Sequence, residues 1–106
     1  MVTEKRFIAL ALSLPGTEQV AHFERIGFKV TGRRMFCTYL ARDNSANIFL
    51  TPNEQQVFCK MDKNIYPVPN KWGEKGATTF DLSNVPTEII QEALLSAYHE
   101  ILKRKK

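Results

Sequence analysis

Phe7, Leu10, Ala11 and Leu14 recur at i, i+3, i+4 and i+7, the spacing that lines one face of an α-helix. Thr3 stands where a side-chain cap belongs, so the chain predicts a helix over residues 4–13. Leu14-Pro15-Gly16 ends it, because Pro15 has no N–H to continue the ladder. The period then shortens to two. Gln19 to Phe23 reads as a short first strand, and Gly27 to Thr31 alternates Phe28 and Val30 with Lys29 and Thr31. Gly32-Arg33 makes a tight turn. Met35 to Ala41 is apolar and suited to a central strand, Arg42 to Ser45 is a turn cluster, and Ala46 to Leu50 is the next strand. These segments form an antiparallel meander.

The helical period returns at Thr51-Pro52-Asn53-Glu54. Thr51 caps, Pro52 sits where its missing N–H is harmless, and Glu54 closes a capping box. The predicted helix spans residues 52–61, with Val57, Phe58 and Met61 on its apolar side. The run Tyr66 to Gly76 follows. It holds the only Trp, two of five Pro and two of five Gly, so it reads as a shaped loop. Ala77 to Leu82 turns Thr78, Phe80 and Leu82 to one side as the last strand. Pro86 and Thr87 open a helix over residues 87–103, where Ile90, Leu94, Ala97 and Ile101 form a long apolar stripe. The order α-β-β-β-β-α-β-α predicts an α+β fold. Its architecture is a two-layer sandwich, a mainly antiparallel sheet with the helices on one face.

A length of 106 residues suits one domain over residues 1–106. No apolar run approaches the ~20 residues of a membrane span. The stretch Phe7 to Leu14 is too short for a signal peptide and lacks a small-residue cleavage site. The expectation is a cytoplasmic protein, monomeric, without contact to a membrane. Cys37 and Cys59 lie far apart and outside any C-x-x-C, so buried free thiols are expected rather than a disulfide.

Charge changes the picture less than the net value of +4 suggests. Lys103-Arg104-Lys105-Lys106 supplies all of it, and the remaining eleven basic residues balance the eleven acidic ones. The excess therefore describes a basic tail and not a basic folded face. Two further basic elements remain. One is Gly32-Arg33-Arg34 with Lys29 before it; the other is Lys71-Trp72-Gly73-Glu74-Lys75. Lys and Arg on projecting turns can contact phosphates, and an aromatic can stack or wedge. Each element also has a plainer reading. The arginines suit a solvated hairpin turn, and Trp72 suits a lid over the core edge, since Trp is mostly buried.

Chemistry is thinly represented. There is no G-x-S-x-G, no phosphate-binding glycine loop and no H-E-x-x-H. Two His and two Cys are too few and too scattered for structural zinc. No metal site and no cofactor are expected, and no catalytic residue is assigned. His99 suits a surface position near a helix C-terminus, and His22 a strand end.

The chain resembles the MmcQ/YjbR family of small bacterial proteins. The matching landmarks are Leu14-Pro15-Gly16, His22-Phe23, Phe28-Lys29-Val30 before Gly32, and Met35-Phe36. They continue with Thr51-Pro52, Lys71-Trp72-Gly73 with Gly76, and Asp81-Leu82 before the last helix. The resemblance implies a CyaY-like (frataxin-like) fold and DNA binding through a "double wing". One departure stands out: members often carry a Trp after the glycine matching Gly76, where this chain has Ala77. The iron binding of frataxins does not carry over, since the first helix offers only Glu4, flanked by Lys5 and Arg6. The reading is a non-enzymatic DNA-binding protein of weak sequence specificity, using Lys29, Arg33, Arg34, Lys71, Trp72 and Lys75. The alternative is a protein- or small-ligand-binding adaptor that uses the sheet face and the Trp72 loop. An enzyme built around His22 comes third.

Overall fold

The hydroxyl of Thr3 accepts from the Arg6 N–H at 3.2 Å and starts helix α1, Glu4–Leu12. The computed structural model to which this contact belongs describes residues 1–104; Lys105 and Lys106 of the basic tail lie outside the described residues. Strands β1 (Thr17–His22), β2 (Arg25–Val30), β3 (Met35–Leu40) and β4 (Ser45–Phe49) follow as the expected meander. Helix α2, Pro52–Met61, opens on the capping box read from the sequence. Thr51 accepts from the Glu54 N–H, and Glu54 accepts from the Thr51 N–H at 2.9 Å. Strand β6 is Ala77–Asp81, and α4 is Thr87–Lys103.

Two elements within residues 65–76 go beyond the sequence reading. Strand β5, Ile65–Pro67, pairs antiparallel with β6, and Lys71–Glu74 forms one turn of helix, α3. Both are too short to show a hydrophobic period. Pro67 is tolerated because β5 is an edge strand. The first strand also ends earlier than expected. His22 pairs with Arg25, and Phe23 sits in the two-residue turn between them with φ 58°. That conformation is uncommon for a bulky side chain.

All six strands form one antiparallel sheet in the order β1-β2-β3-β4-β6-β5. Register fixes which residues share a face. Tyr39, Ala46, Phe80 and Ile65 stand in line across four strands, and Phe28, Cys37, Ile48 and Thr78 across another four. This face carries the core and receives the helices. Phe7 of α1 packs edge-on against Phe28 and stacks on Tyr39, Phe58 of α2 meets Phe80, and Tyr98 of α4 meets Phe36. The expectation of helices on one face holds.

Among the described residues, no helix lies on the opposite face. Gly27, Thr38, Asn47, Thr79 and Tyr66 run across it in register. Leu40 and Ala77 are buried yet stand outside the apolar core cluster, as their position on this second face requires. Asn44 closes the β3–β4 turn with φ 48°, a conformation Asn tolerates better than most residues. Its side chain accepts from the Tyr39 hydroxyl at 2.7 Å and donates to the Val2 carbonyl at 3.1 Å.

Candidate nucleic-acid interface

The segment between β5 and β6 is shaped by close backbone approach. Asn70 accepts from the Trp72 N–H at 2.9 Å and caps α3. A Cβ on Gly73 would collide with the Val68 carbonyl. Gly76 holds φ 116°, and a Cβ there would strike the Leu50 carbonyl. Only glycine meets both demands. Gln55, buried on α2, donates to the carbonyls of Gly73 (2.9 Å) and Ala77 (3.1 Å), locking the segment from beneath. The lid reading of Trp72 does not hold. Trp72 is 66% exposed, because the packing at this segment is done by the Gly73 backbone instead. The Lys75 ammonium lies 5.5 Å from the Trp72 ring centroid, within cation–π range. Lys71 is exposed beside them.

At the β2–β3 turn, Arg34 is exposed and Arg33 is half-buried. The Arg33 Nη1 donates to the carbonyls of Arg104 (2.7 Å), Ile101 (3.4 Å) and Leu102 (3.4 Å). It therefore binds the C-terminus of α4, where unpaired carbonyls and the helix dipole favour a cation. This contact fastens the start of the basic tail to the turn. Lys29, half-buried, stands opposite Met35 on the helix-free face.

These elements share one end of the sheet. Val30 and Met35 bound the β2–β3 turn, and Phe49, the end of β4, pairs with Ala77, the start of β6. Only β4 separates β3 from β6. At ~4.8 Å per strand the two basic turns are on the order of 10 Å apart in the sheet plane. Arg33, Arg34, Lys71, Trp72 and Lys75 thus gather at this end with Lys103 and Arg104. Glu74 is the exposed acid among them.

Other candidate chemistry is dispersed. Cys37 is buried in the core, where desolvation pushes its thiol well above the usual range. Cys59, a second free thiol, is half-buried on α2. The His22 ring rests 5.1 Å from Phe23 at the opposite end of the sheet. Ala77 is only 5% exposed. Among the described residues no three His, Cys, Asp or Glu side chains converge to hold a metal. No helix there is long and apolar enough to cross a membrane.

One feature escapes the sequence reading: a groove of about 390 Å³ on the helix-free face. Arg25, Ser45, Asn47, Tyr66, Thr79 and Asp81 line it. The sequence signal for it is slight, a polar residue at alternate positions of otherwise apolar strands.

A six-stranded antiparallel sheet with its helices on one face and shaped basic turns at one end defines a small α+β sandwich domain. The YjbR family model matches residues 12–100, and the chain belongs to that family. Among solved structures, the crystal structure of Deinococcus radiodurans protein DR2400, a DUF419 domain, is similar with a TM-score of 0.82. Identity is 23%, over 98% of this chain and 81% of that one, a likeness that speaks for the fold. No curated protein matches the chain.

Proposed function

We propose that this chain binds duplex DNA without catalysing a reaction, gripping phosphates at the basic end of the sheet. The observation that carries the reading is the convergence of the β2–β3 turn, the α3 segment and the C-terminus of α4 on that end. Arg34, Lys71 and Lys75 are exposed there and supply charge to phosphate oxygens. Trp72, held beneath Lys75, offers a face for stacking or for packing against a sugar. Arg33 acts mainly by positioning, since its Nη1 is held by the α4 carbonyls and draws the tail to the turn. Nothing here enters a groove as a recognition helix, so the interaction reads phosphates rather than bases. The reading takes the protein to be a cytoplasmic monomer.

The test is the salt dependence of binding to duplex DNA. Log affinity is expected to fall with log salt by about 0.9 per phosphate neutralised. Changing Arg34, Lys71 and Lys75 together to Ala should flatten that slope by roughly 3, about 1 for each lost phosphate contact. It should weaken binding to all sequences alike. Deletion of Lys103 to Lys106 is the control, because those residues supply the net charge. If that deletion abolishes binding while the triple change does nothing, the interaction is generic polycation attraction and the reading fails.

A further inference from the structure

Arg25 begins β2 with its side chain on the helix-free face and lines the groove there. The residue is half-buried, and its Nη1 is buried with no hydrogen-bond partner among the described residues. Buried guanidinium nitrogens ordinarily find an acceptor, because an unpaired buried charge is costly. Two carboxylates, Asp43 and Asp81, line the same groove, yet among the described residues neither comes within ion-pair distance of Arg25; Asp43 instead accepts from the Arg42 Nε at 3.4 Å. Register explains the gap. Arg25 precedes Ile26, which pairs with Tyr39, so Arg25 stands level with Leu40, Ser45 and Asp81. Three strand spacings, about 14 Å, separate the Arg25 and Asp81 backbones.

Asp81 is held as a fixed acceptor. Its Oδ1 accepts from the Ser83 N–H (3.0 Å) and its Oδ2 from the Asn84 amide (2.8 Å). Thr79 donates to the Asn47 Oδ1 at 2.8 Å, leaving the Asn47 amide hydrogens for another acceptor. The groove therefore presents the Arg25 guanidinium on the β2 side and the Asp81 carboxylate on the β6 side, with Asp43 at the β3–β4 turn and neutral donors and acceptors between. With Asp43 paired to Arg42, Arg25 and Asp81 balance, and neither sign dominates the groove. The groove suits a dipolar ligand whose negative end meets Arg25 and whose positive end meets Asp81. The volume falls within the range of small-molecule sites.

We propose that this groove binds a small zwitterion of the α-amino-acid class. The carboxylate takes the Arg25 guanidinium and the Asn47 amide, and the ammonium faces Asp81. The groove reaches Val68 and Pro69 beside α3, but none of Arg33, Arg34, Lys71, Trp72 and Lys75 lines it, so the proposal stands independently of DNA binding. Arg25 gives planar two-point recognition of a carboxylate that a lysine cannot reproduce.

The experiment is an NMR titration of the full chain with each of the twenty free α-amino acids. Acetate and methylammonium, the two halves of the ligand, are titrated in parallel. At least one amino acid should give saturable shifts at the amides of Arg25, Ser45, Asn47 and Thr79, at concentrations where neither half does. Arg25→Gln should weaken that binding at least tenfold, and Arg25→Lys should restore it only in part. The salt slope for DNA should be the same in Arg25→Gln as in the parent. Saturation by no amino acid in the millimolar range would overturn the proposal. So would equal binding of acetate, or unchanged binding by Arg25→Gln.

Discussion

The two faces of the sheet are built from the same strands, alternate residue by alternate residue, and they solve opposite problems. On one face, Phe28, Cys37, Tyr39, Ala46, Ile48 and Phe80 form a continuous apolar surface that three helices cover. On the other, Thr38, Asn47, Thr79 and Tyr66 stand in one row with no helix over them. The pleat lets neighbouring residues serve different ends, since successive side chains point to opposite sides. Phe80 is wholly buried in the core, whereas Thr79, next to it, lines the groove. Stability should therefore be concentrated on the covered face and recognition on the open one and at the sheet ends.

Truncation of Phe80 probes the first half of that contrast and should have the largest effect. Its ring packs against Phe58 of α2, 6.0 Å between centroids, and joins the sheet core to that helix. Phe80→Ala removes a large buried ring and leaves a cavity, at a cost of about 3–5 kcal/mol. Chemical denaturation would show it as a lower midpoint with little change in slope. A loss below about 1 kcal/mol would mean that the covered face is not where the fold is held.

Helices α1 and α2 are legible in sequence because each announces itself twice, by a cap and by a stripe, and α4, which has no side-chain cap, by its long stripe. Thr3 and the Thr51–Glu54 box fix where α1 and α2 begin, and the apolar spacing carries them on. β5 and α3 carry no such signal. Three and four residues cannot display a period, and Pro67 and Pro69 argue locally for loop. The basic residues of the candidate interface are equally legible one by one. Their meeting is not, because it depends on β6 returning to pair with β4 across α2, β5 and α3. Trp72 shows the limit from the other side. Composition favours burial, but the glycine beside it takes the packed position and leaves the ring outside. The groove is hardest to foresee, since knowing which alternate residues share a face requires the register of five strand pairs.

Two buried threonines sharpen the comparison at smaller scale. Thr78, on the covered face, is fully buried, and its hydroxyl donates to the Gly76 carbonyl at 2.8 Å. That carbonyl also accepts from the Leu50 N–H at 3.2 Å, so it keeps one partner when the hydroxyl is removed. Thr78→Val should therefore cost only the net value of one hydrogen bond, about 1 kcal/mol. Thermal unfolding would register it as a fall of roughly 4 °C or more.

Thr38 is the counterpart on the open face, and the same substitution should act with the opposite sign. It is 2% exposed, and its Oγ1 has no hydrogen-bond partner. Its neighbours across the sheet, Gly27 and Asn47, leave the hydroxyl unsatisfied, Asn47 turning its Oδ1 to Thr79 instead. A buried hydroxyl without a partner costs desolvation and gains nothing in return. Valine keeps the β-branched shape that suits a strand and replaces the hydroxyl with a methyl group. Thr38→Val should raise stability by up to about 1 kcal/mol, less any strain from the added methyl. Denaturation of Thr38→Val beside Thr78→Val reads the difference directly. Opposite signs would show that the hydroxyl belongs to the hydrogen bonding of the covered face and is a cost on the open one. A loss in both variants would mean that Thr38 has a hydrogen-bonding role in the folded protein after all.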